Sequence, residues 1–338
     1  MELVDLKSSS EDLAEKLINL LKDGKKVFIQ PHNIPDPDAI SASFGVYELL
    51  TYFGIAAEII YVNPIEKANS KQMIEMFDIP MTLRDEKDLI PEDCYLVLVD
   101  SQPGNANISC LGDDKIAVID HHKDLDGGQF AFSDIRPNIG ACATIIATYY
   151  CDLDVPFSMN VATALVYGIM NDTNNLTRLN NKLDLEMFYY LYDLANLNKI
   201  KNIKMNEIGR DDIQAYAKAL ANIEIYKNIG FVHIEDCNDS LLGTISDMVY
   251  TIEGVNIVVS YARRYDGVKL SIRSGLDYIY ADQLVKFIID EKGLGGGHNE
   301  MAGGFIPIEN IDFIDYRELD TYVRYRAIAF LEKERAER

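Results

Sequence analysis

The chain has 338 residues, of which 48% are hydrophobic and 25% are charged. A single hydrophobic core rarely grows to this size, so we expect a globular enzyme of two domains. Its 54 acidic and 32 basic residues give a net charge of -22, which argues against a protein that slides along long duplex nucleic acid. Short anionic substrates are compatible with this charge if a local patch reverses it.

The N-terminal segment and the cysteines bear on where the protein works. The segment contains Glu2, Asp5 and Glu11 and no sustained apolar run, so we expect neither a signal peptide nor an anchor. No stretch approaches the roughly 20 apolar residues of a membrane span, and no membrane partner is expected. The cysteines are five, an odd number, without close paired spacing, which predicts reduced thiols in a cytoplasmic protein.

Strands alternate with helices in the first half of the chain. We predict strands at 26–30, 57–62, 94–99 and 116–119, and helices at 38–53, 140–150 and 159–170. This alternation is typical of an α/β domain whose parallel sheet carries helices on both faces. Ligands of such sheets bind at the carboxyl ends of the strands. The polar residues that follow the strands should therefore open onto one edge.

Four polar stretches follow these predicted elements, and they supply carboxylates and imidazoles without cysteine. Six of their side chains are too many for one ion and suit two, and nitrogen and oxygen ligands favour Mn²⁺ or Mg²⁺. Two such ions about 4 Å apart can generate a hydroxide and stabilise the attacking and leaving oxygens of a phosphoryl displacement. The six are His32, Asp36, Asp38, Asp100, His121 and Asp172.

These residues also have structural interpretations. Asp36 and Asp38 could be an N-cap and a first-turn acid of the following helix, which are common roles for aspartate. Asp100 and Asp172, taken singly, are ordinary ends of a strand and a helix. The metal interpretation therefore depends on the whole set. In addition, the small residues of Gly140-Ala-Cys-Ala-Thr begin a helix whose N–H groups suit close approach of a ligand.

The second half of the chain changes character. An Asn- and Lys-rich stretch at 196–206 predicts a boundary, with domains at 1–190 and 221–338 and a helical linker at 191–220. Asp266-Gly267 between two strand-like runs predicts a hairpin. After an amphipathic helix at 282–291, the run Gly295-Gly296-Gly297-His298 predicts a loop that wraps an anion or ribose, with a merely flexible loop as the alternative.

The local charge is consistent with a small substrate. Residues 261–298 contain six basic and five acidic residues, a net charge of +1 inside a chain of -22. A patch of this size suits a few phosphates, whereas a long single strand needs an extended basic groove. We therefore expect a short oligonucleotide or a nucleotide bisphosphate as the substrate.

The order of these motifs resembles the DHH phosphoesterase family with its DHH-associated C-terminal domain, DHHA1. The resemblance rests on His-x-x-x-Asp-x-Asp at 32–38, Asp100 after a strand, Asp120-His121-His122, Asp172 after a helix, and the glycine run that ends at His298. It implies a parallel-sheet DHH domain and a smaller α/β DHHA1 domain with a mixed sheet. Length and linker most resemble the nanoRNase members, which degrade very short oligoribonucleotides and dephosphorylate 3′-phosphoadenosine 5′-phosphate.

The resemblance also implies roles for individual residues. One metal would be held by His32, Asp36 and Asp100, and the other by Asp38, Asp100, His121 and Asp172, so that Asp100 bridges. His122 would face the scissile phosphate or lie behind the ligands, and Asp120 would orient both histidines. The residues expected to hold a terminal nucleotide are Arg273, Ser274, Gly295, Gly296, Gly297 and His298.

Departures from the family pattern leave the substrate open. Ser41, Cys142 and the Thr-Asn-Asn that follows Asp172 stand where glycine, serine and Thr-Gly are usual. Alternative activities are a cyclic or linear dinucleotide phosphodiesterase and a RecJ-like exonuclease on longer single strands, whereas a family II pyrophosphatase is least favoured. A nucleotide sensor without activity is the alternative from another class. The oligomeric state is open, and a homodimer is one assembly the sequence allows.

Overall fold

The computed structural model describes residues 11–105, 107–113, 115–123, 130–179, 181–205, 208–235, 237, 239–311 and 316–336. The segment before residue 11, where we expect no signal peptide, lies outside them. The chain divides into two compact units, 1–207 and 208–338. No helix in the described ranges is long and apolar enough to cross a membrane. All five cysteines lie in the described part of the chain, and none forms a disulfide.

The first unit contains seven helices and six strands among its described residues. Its helices are α1 (Glu11–Leu21), α2 (Pro37–Tyr52), α3 (Ala68–Phe77), α4 (Cys142–Asp152), α5 (Met159–Asp172), α6 (Lys182–Tyr192) and α7 (Leu197–Met205). Its strands are β1 (Val27–Pro31), β2 (Ala57–Val62), β3 (Met81–Arg84), β4 (Tyr95–Val99), β5 (Ile116–Asp120) and β6 (Phe132–Ile135). The helices and strands predicted for this half are all present.

The strand order of the first sheet places its ligand edge. The six strands are parallel throughout and run in the order β3-β2-β1-β4-β5-β6. The direction of strand addition reverses between β1 and β4, and ligands of open parallel sheets bind in the crevice at such a reversal. His32 follows β1 directly and Asp100 follows β4 directly. The topology therefore brings two of the four polar stretches to the crevice.

Helices cover one face of this sheet in the described residues, where we expect both. Apolar residues of α1 to α7 form one core with strand residues such as Val27. On the other face, Val118 and its neighbours pack against Leu111 and other loop residues. The connections that cover this face contain Pro91 and Pro103, which disfavour helices. The α/β class is confirmed, and in the part of the chain that the structure describes, loops cover that second face.

The second unit is a smaller α/β domain with a mixed sheet, as predicted. Its sheet has the order β11-β12-β10-β9-β8-β7, in which β8 and β9 are parallel and the other pairs antiparallel. The strands are β7 (Glu224–Tyr226), β8 (Ile229–Glu235), β9 (Ile257–Arg263), β10 (Gly267–Ser274), β11 (Leu294–Gly297) and β12 (Met301–Pro307). The helices are α8 (Ile213–Ala221), α9 (Asp239–Tyr250), α10 (Ala281–Ile289) and α11 (Tyr316–Ala336).

The glycine run forms an edge strand, so the prediction of a loop was wrong. Gly295 to Gly297 belong to β11, which pairs with β12 and places Gly295 opposite Gly304. A Cβ on Gly295 would come 2.6 Å from Ile289 Cδ1, and one on Gly304 would come 2.4 Å from it. Glycine therefore lets α10 pack directly on the sheet edge. The predicted hairpin is present, because the Arg264 N–H donates to the Gly267 carbonyl at 2.7 Å.

Candidate metal centre

Asp36 caps a helix and also lies in a group of possible metal ligands. Its Oδ1 accepts hydrogen bonds from the backbone N–H groups of Asp38 at 2.9 Å and Ala39 at 3.1 Å, so it is the N-cap of α2. It also belongs to a group with His32 and Asp100 whose ligand atoms lie within 4.8 Å of one another. Capping thus fixes the carboxylate beside the imidazole that follows β1.

Asp38 occupies the helix N-terminus that the small-residue run predicted to be open to a ligand. The side chain is fully buried, and it accepts hydrogen bonds from the N–H of Cys142 at 2.7 Å and that of Ala143 at 2.9 Å. The group at the start of α4 is therefore this carboxylate, where we expected the close approach of a ligand. Burial, with Asp100 and Asp172 nearby, raises the pKa of Asp38 well above its usual range.

Asp100 places its two carboxylate oxygens near different imidazoles. It follows β4 in the left-handed region with φ 58° and is 3% exposed. Its Oδ1 lies 3.2 Å from Nε2 of His121, and its Oδ2 lies 3.8 Å from Nε2 of His32. A left-handed non-glycine residue is costly and often marks a functional position. Here it turns the carboxylate between the two histidines.

His121 links two of the carboxylates. Its Nε2 lies 3.2 Å from Asp100 Oδ1 and 3.2 Å from Asp172 Oδ2, while its Nδ1 lies 3.1 Å from the Ile139 carbonyl oxygen. A carbonyl can only accept, so Nδ1 carries the proton and Nε2 faces the acids. Burial lowers the pKa of His121, but the two carboxylates outweigh burial and hold it well above its usual value.

Asp120 supports both histidines of its motif. It is fully buried, and its Oδ1 accepts from the backbone N–H of His121 at 2.8 Å and of His122 at 3.2 Å. The same oxygen lies 2.8 Å from the His122 Nδ1, and Gln102 donates to Oδ2 at 2.7 Å. Burial raises the pKa of Asp120, but the contacts with His122, Gln102 and His121 together outweigh burial, and the net shift is downward. Sequence reasoning missed Gln102, an amide in a loop without any motif around it.

Asp172 ends α5 beside an unusual loop. After Thr173, the residues Asn174, Asn175 and Leu176 adopt left-handed conformations with φ of 48°, 56° and 65°. Arg178 folds back and donates to the Asp172 carbonyl oxygen at 2.5 Å. Burial raises the pKa of Asp172, but the contact with His121 prevails and lowers it to about 2. Arg178, six positions beyond the acid, carried no signal that we recognised in the sequence.

The donor set fits divalent cations. Three groups of side chains have ligand atoms within 4.8 Å: His32 with Asp36 and Asp100, Asp38 with His121 and Asp172, and Asp100 with His121 and His122. Asp38 and Asp100 are buried and Asp172 is half-buried, so their charges repel in a low dielectric unless cations balance them. Oxygen and imidazole donors without thiolate match Mn²⁺ or Mg²⁺. All six predicted ligands lie in this cluster.

One further acid near the cluster went unpredicted. Asp184, near the start of α6, is fully buried, and its oxygens accept from the Gly140 N–H at 2.9 Å and the Thr144 hydroxyl at 2.7 Å. Burial raises the pKa of Asp184, against the hydrogen bonds from Thr144 and Gly140. An acid in the first turn of a helix is common, so sequence alone gave no reason to single it out.

In the second unit, Arg273 and Ser274 make internal contacts. Arg273 is 8% exposed and donates to Asp247 at 2.5 Å, to the Gly243 carbonyl at 3.3 Å and to the Ser271 hydroxyl at 3.1 Å. Ser274 is buried and donates to the Ile279 carbonyl at 2.5 Å. These contacts fix the end of β10, and a role for both residues in substrate binding stays a prediction.

The glycine strand and His298 lie at the edge of the second sheet. The His298 N–H donates to the Met301 carbonyl at 2.7 Å across the turn that joins β11 to β12. Basic residues of the predicted positive patch make ion pairs: Arg264 with Asp266 at 3.1 Å, and Lys286 with Asp282 at 3.4 Å. The two acidic partners are already included in the net charge of +1 for residues 261–298. Contacts of His298 and the glycines with a nucleotide stay predictions.

Comparisons with known proteins agree with this architecture. Residues 26–169 match the model of the DHH family N-terminal domain, and residues 227–323 match that of the DHHA1 domain. The two matches fall in the two structural units. The match to the DHH domain includes Asp38, Asp100 and His121, and the match to the DHHA1 domain includes Arg273 and His298.

Similar proteins differ in their named activities. An uncharacterised protein of Methanocaldococcus jannaschii, MJ1633, is 29% identical over 83% of this chain, which spans 58% of its length. The cyclic-di-AMP phosphodiesterase GdpP of Geobacillus thermodenitrificans is 25% identical over 85% of this chain and 45% of its own. The bifunctional oligoribonuclease and PAP phosphatase NrnA of Thermus thermophilus is 23% identical over 85% of this chain and 86% of its own.

Proposed function

The chain belongs to the DHH/DHHA1 phosphoesterase family, and on that premise we propose that it hydrolyses short oligonucleotides or nucleotide 3′,5′-bisphosphates with two divalent cations. The relatives named as a phosphodiesterase and as an oligoribonuclease and phosphatase support a metal-dependent hydrolase. The observation that carries the proposal is the packing of six carboxylate and imidazole ligands at the sheet crevice, with ligand atoms of each group within 4.8 Å. Mn²⁺ is the proposed metal and Mg²⁺ the alternative.

The proposed ligand roles follow the contacts of each side chain. His32, Asp36 and Asp100 would hold one cation, and Asp38, Asp100, His121 and Asp172 the other. When bound, two divalent cations supply an activated water and stabilise the charge on the attacking and leaving oxygens. The two oxygens of Asp100 approach different histidines, at 3.2 Å and 3.8 Å, which supports its role as the bridge.

Asp120 and His122 are proposed to act on the substrate side of the cluster. Asp120 holds the His122 ring through Nδ1 at 2.8 Å and is itself buried, so its role is to orient the ring. The side chain of His122 is 35% exposed, whereas that of His121 is 3% exposed. Because His122 is the more accessible imidazole, we assign it the contact with the scissile phosphate.

A short substrate is favoured by charge and by one relative. The net charge of -22 opposes binding of a long polyanion, and the stretch 261–298 has only six basic residues, some of them in ion pairs. The Thermus relative is named as an oligoribonuclease and PAP phosphatase and matches most of its own length. In this proposal Arg273, Ser274 and the run from Gly295 to His298 hold the terminal nucleotide.

A cyclic-dinucleotide phosphodiesterase is the second candidate. It is supported by the similarity to GdpP, whose length the chain covers to 45%. Both activities use the same cation chemistry, so the metal cluster does not discriminate between them. The domain limits at 190 and 220, the homodimer and the cytoplasmic location stay predictions.

A substrate panel tests the proposal. Purified protein with Mn²⁺ would receive pApA and other linear dinucleotides, 3′-phosphoadenosine 5′-phosphate, cyclic dinucleotides and a longer single strand, with release of mononucleotide or phosphate measured. We expect the linear dinucleotides or the bisphosphate to give the highest kcat/KM. A cyclic dinucleotide as the best substrate would favour the second candidate. Tight nucleotide binding without turnover of any member would support the sensor interpretation and contradict the enzyme proposal.

A further inference from the structure

A single peptide unit connects His121 to a buried acid outside the ligand set. The His121 ring donates its Nδ1 proton to the Ile139 carbonyl oxygen at 3.1 Å. The N–H of the same peptide unit, which belongs to Gly140, donates to Asp184 Oδ2 at 2.9 Å. A histidine, a peptide and a carboxylate therefore form one continuous chain of hydrogen bonds.

The acid at the end of this chain is held firmly. Asp184 is fully buried near the start of α6, and its other oxygen accepts from the Thr144 hydroxyl at 2.7 Å. A Cβ on Gly140 would lie 2.8 Å from Asp184 Oδ2 and 2.9 Å from the Thr173 methyl carbon. Only glycine allows this approach, so the backbone at 140 is shaped to meet the carboxylate.

We propose that Asp184 is a positioning residue that acts on the metal ligand His121 through the 139–140 peptide. Negative charge at the Gly140 N–H polarises the peptide and makes the Ile139 carbonyl a stronger acceptor, since linked hydrogen bonds reinforce one another in a low dielectric. The stronger acceptor holds the proton on Nδ1 and makes Nε2 a better donor toward a cation. Metal-bound histidines commonly donate the proton on their second nitrogen to a carboxylate, a backbone carbonyl or a water molecule.

This inference rests on the proposed function, because it requires a cation at His121. It adds a residue that has no place among the six ligands. A purely structural role is the competing explanation, in which Asp184 only anchors the start of α6 to the start of α4. The two differ in what the charge does: an anchor needs the hydrogen bonds, whereas polarisation of the peptide also needs the negative charge.

Asp184→Asn separates these roles, because asparagine keeps the size and one acceptor oxygen but removes the charge. Mn²⁺ affinity would be measured by calorimetry on the whole protein, without substrate. We expect affinity to fall about 10- to 100-fold, the usual effect of losing such an outer partner. The matched control is Asp320→Asn in the second unit, whose carboxylate contacts the His233 Nδ1 at 2.9 Å and accepts from the Tyr261 hydroxyl at 2.8 Å. The control should bind Mn²⁺ as the wild type does.

A second measurement uses the wild type, so that a folding defect of the variant cannot hide the answer. With ¹⁵N-labelled histidine and Mg²⁺ bound, the His121 Nδ1 proton should be visible and slow to exchange with water. Faster exchange is expected in Asp184→Asn. A wild-type ring protonated at Nε2 instead of Nδ1 would overturn the proposal at once.

The outcomes distinguish this inference from the proposed function. If Asp184→Asn binds Mn²⁺ as tightly as the wild type, the residue is an anchor only and the inference fails, even when the wild type hydrolyses its substrates. If the wild type binds no divalent cation, the metal centre itself is refuted. Weaker Mn²⁺ binding in Asp184→Asn, together with unchanged binding in Asp320→Asn, supports the proposed action of Asp184 on His121 through the 139–140 peptide.

Discussion

Asp100 is the side chain on which the proposed centre depends most. It is 3% exposed, has φ 58°, and directs its two oxygens toward His121 and His32. Because the left-handed backbone sets the direction of the side chain, the position requires a residue that tolerates this conformation and also supplies two oxygens. Aspartate meets both demands, since Asn and Asp are enriched among left-handed residues.

Asp100→Asn is expected to remove activity while leaving the fold intact. The change keeps the left-handed tolerance but loses one anionic oxygen, so one cation should be lost or displaced. We expect kcat/KM to fall by at least about 100-fold, the upper end of what loss of an outer partner costs. Asp78→Asn is the matched control, because exposed Asp78 also adopts a left-handed conformation, with φ 53°. Near-normal rates in Asp100→Asn would refute the two-metal assignment.

At the level of single residues, the proposed ligands could be located from the sequence, whereas the residues that support them could not. The acids and imidazoles at 36, 38, 100, 121 and 172 stand at the ends of predicted elements, and a parallel sheet brings such ends together. Asp184 and Gln102 became meaningful only when the fold placed them beside Gly140 and Asp120. Their neighbours come from distant parts of the chain, and no local pattern encodes such a contact.

At the level of elements, close packing of three helices holds Asp38 in place. A Cβ on Gly168 of α5 would lie 2.1 Å from the Ser41 hydroxyl oxygen of α2, 3.1 Å from the Ala143 Cβ of α4 and 3.1 Å from Asp38 Oδ1. The absence of a side chain at 168 therefore lets α5 reach the ligand. Ser41, a departure from the family pattern, lies at this contact and not in the open site.

Gly168→Ala should perturb both stability and metal binding. Helix propensity alone favours alanine over glycine by about 1 kcal/mol. A loss of stability would therefore be caused by the clash of the added Cβ with its neighbours. We expect unfolding by denaturant to show a loss of about 1 to 3 kcal/mol, as for other overpacked cores, and calorimetry to show weaker Mn²⁺ binding.

Gly45→Ala is the control for this change. Its Cβ would lie 2.7 Å from Ile146 Cγ2 and contact no ligand. This variant should lose stability without losing Mn²⁺ affinity. Equal loss of affinity in both variants would show that general destabilisation, and not displacement of Asp38, weakens the site.

Prediction of elements failed where glycine leaves the choice of backbone open. Four glycines in the window 293–297 contain no periodic pattern, and we interpreted them as a loop. Three of these glycines, with Leu294, form β11 because the edge of a sheet needs only backbone N–H and C=O groups, and α10 packs where side chains would otherwise be. Similarly, the open N-terminus of α4 was correctly located, but its anion is Asp38, which lies 104 positions earlier than Cys142.

At the level of the whole molecule, the charge distribution predicts that bound cations contribute to the stability of the fold. The chain carries a net charge of -22, and three of its carboxylates, those of Asp38, Asp100 and Asp172, lie together in the crevice close to His121. Without cations, protons are the remaining means to balance these buried charges, which agrees with the raised pKa values of Asp38 and His121. Bound cations should therefore stabilise the first unit in particular.

Removal of metal tests this coupling in the intact protein. A ligand that binds only the folded state at about 100 times its Kd stabilises that state by about 2.7 kcal/mol, so protein with Mn²⁺ should unfold at a higher temperature than protein dialysed against EDTA.

Hydrogen exchange should locate the effect of Mn²⁺ within the chain. Amide protection in β5 and the residues that follow it, 116–123, is expected to fall on chelation. Protection in β10, residues 267–274, should not change. Asp100→Asn should be stabilised less by Mn²⁺ than the wild type. Equal loss of protection in both strands would contradict a site confined to the first unit, because all six proposed ligands belong to it.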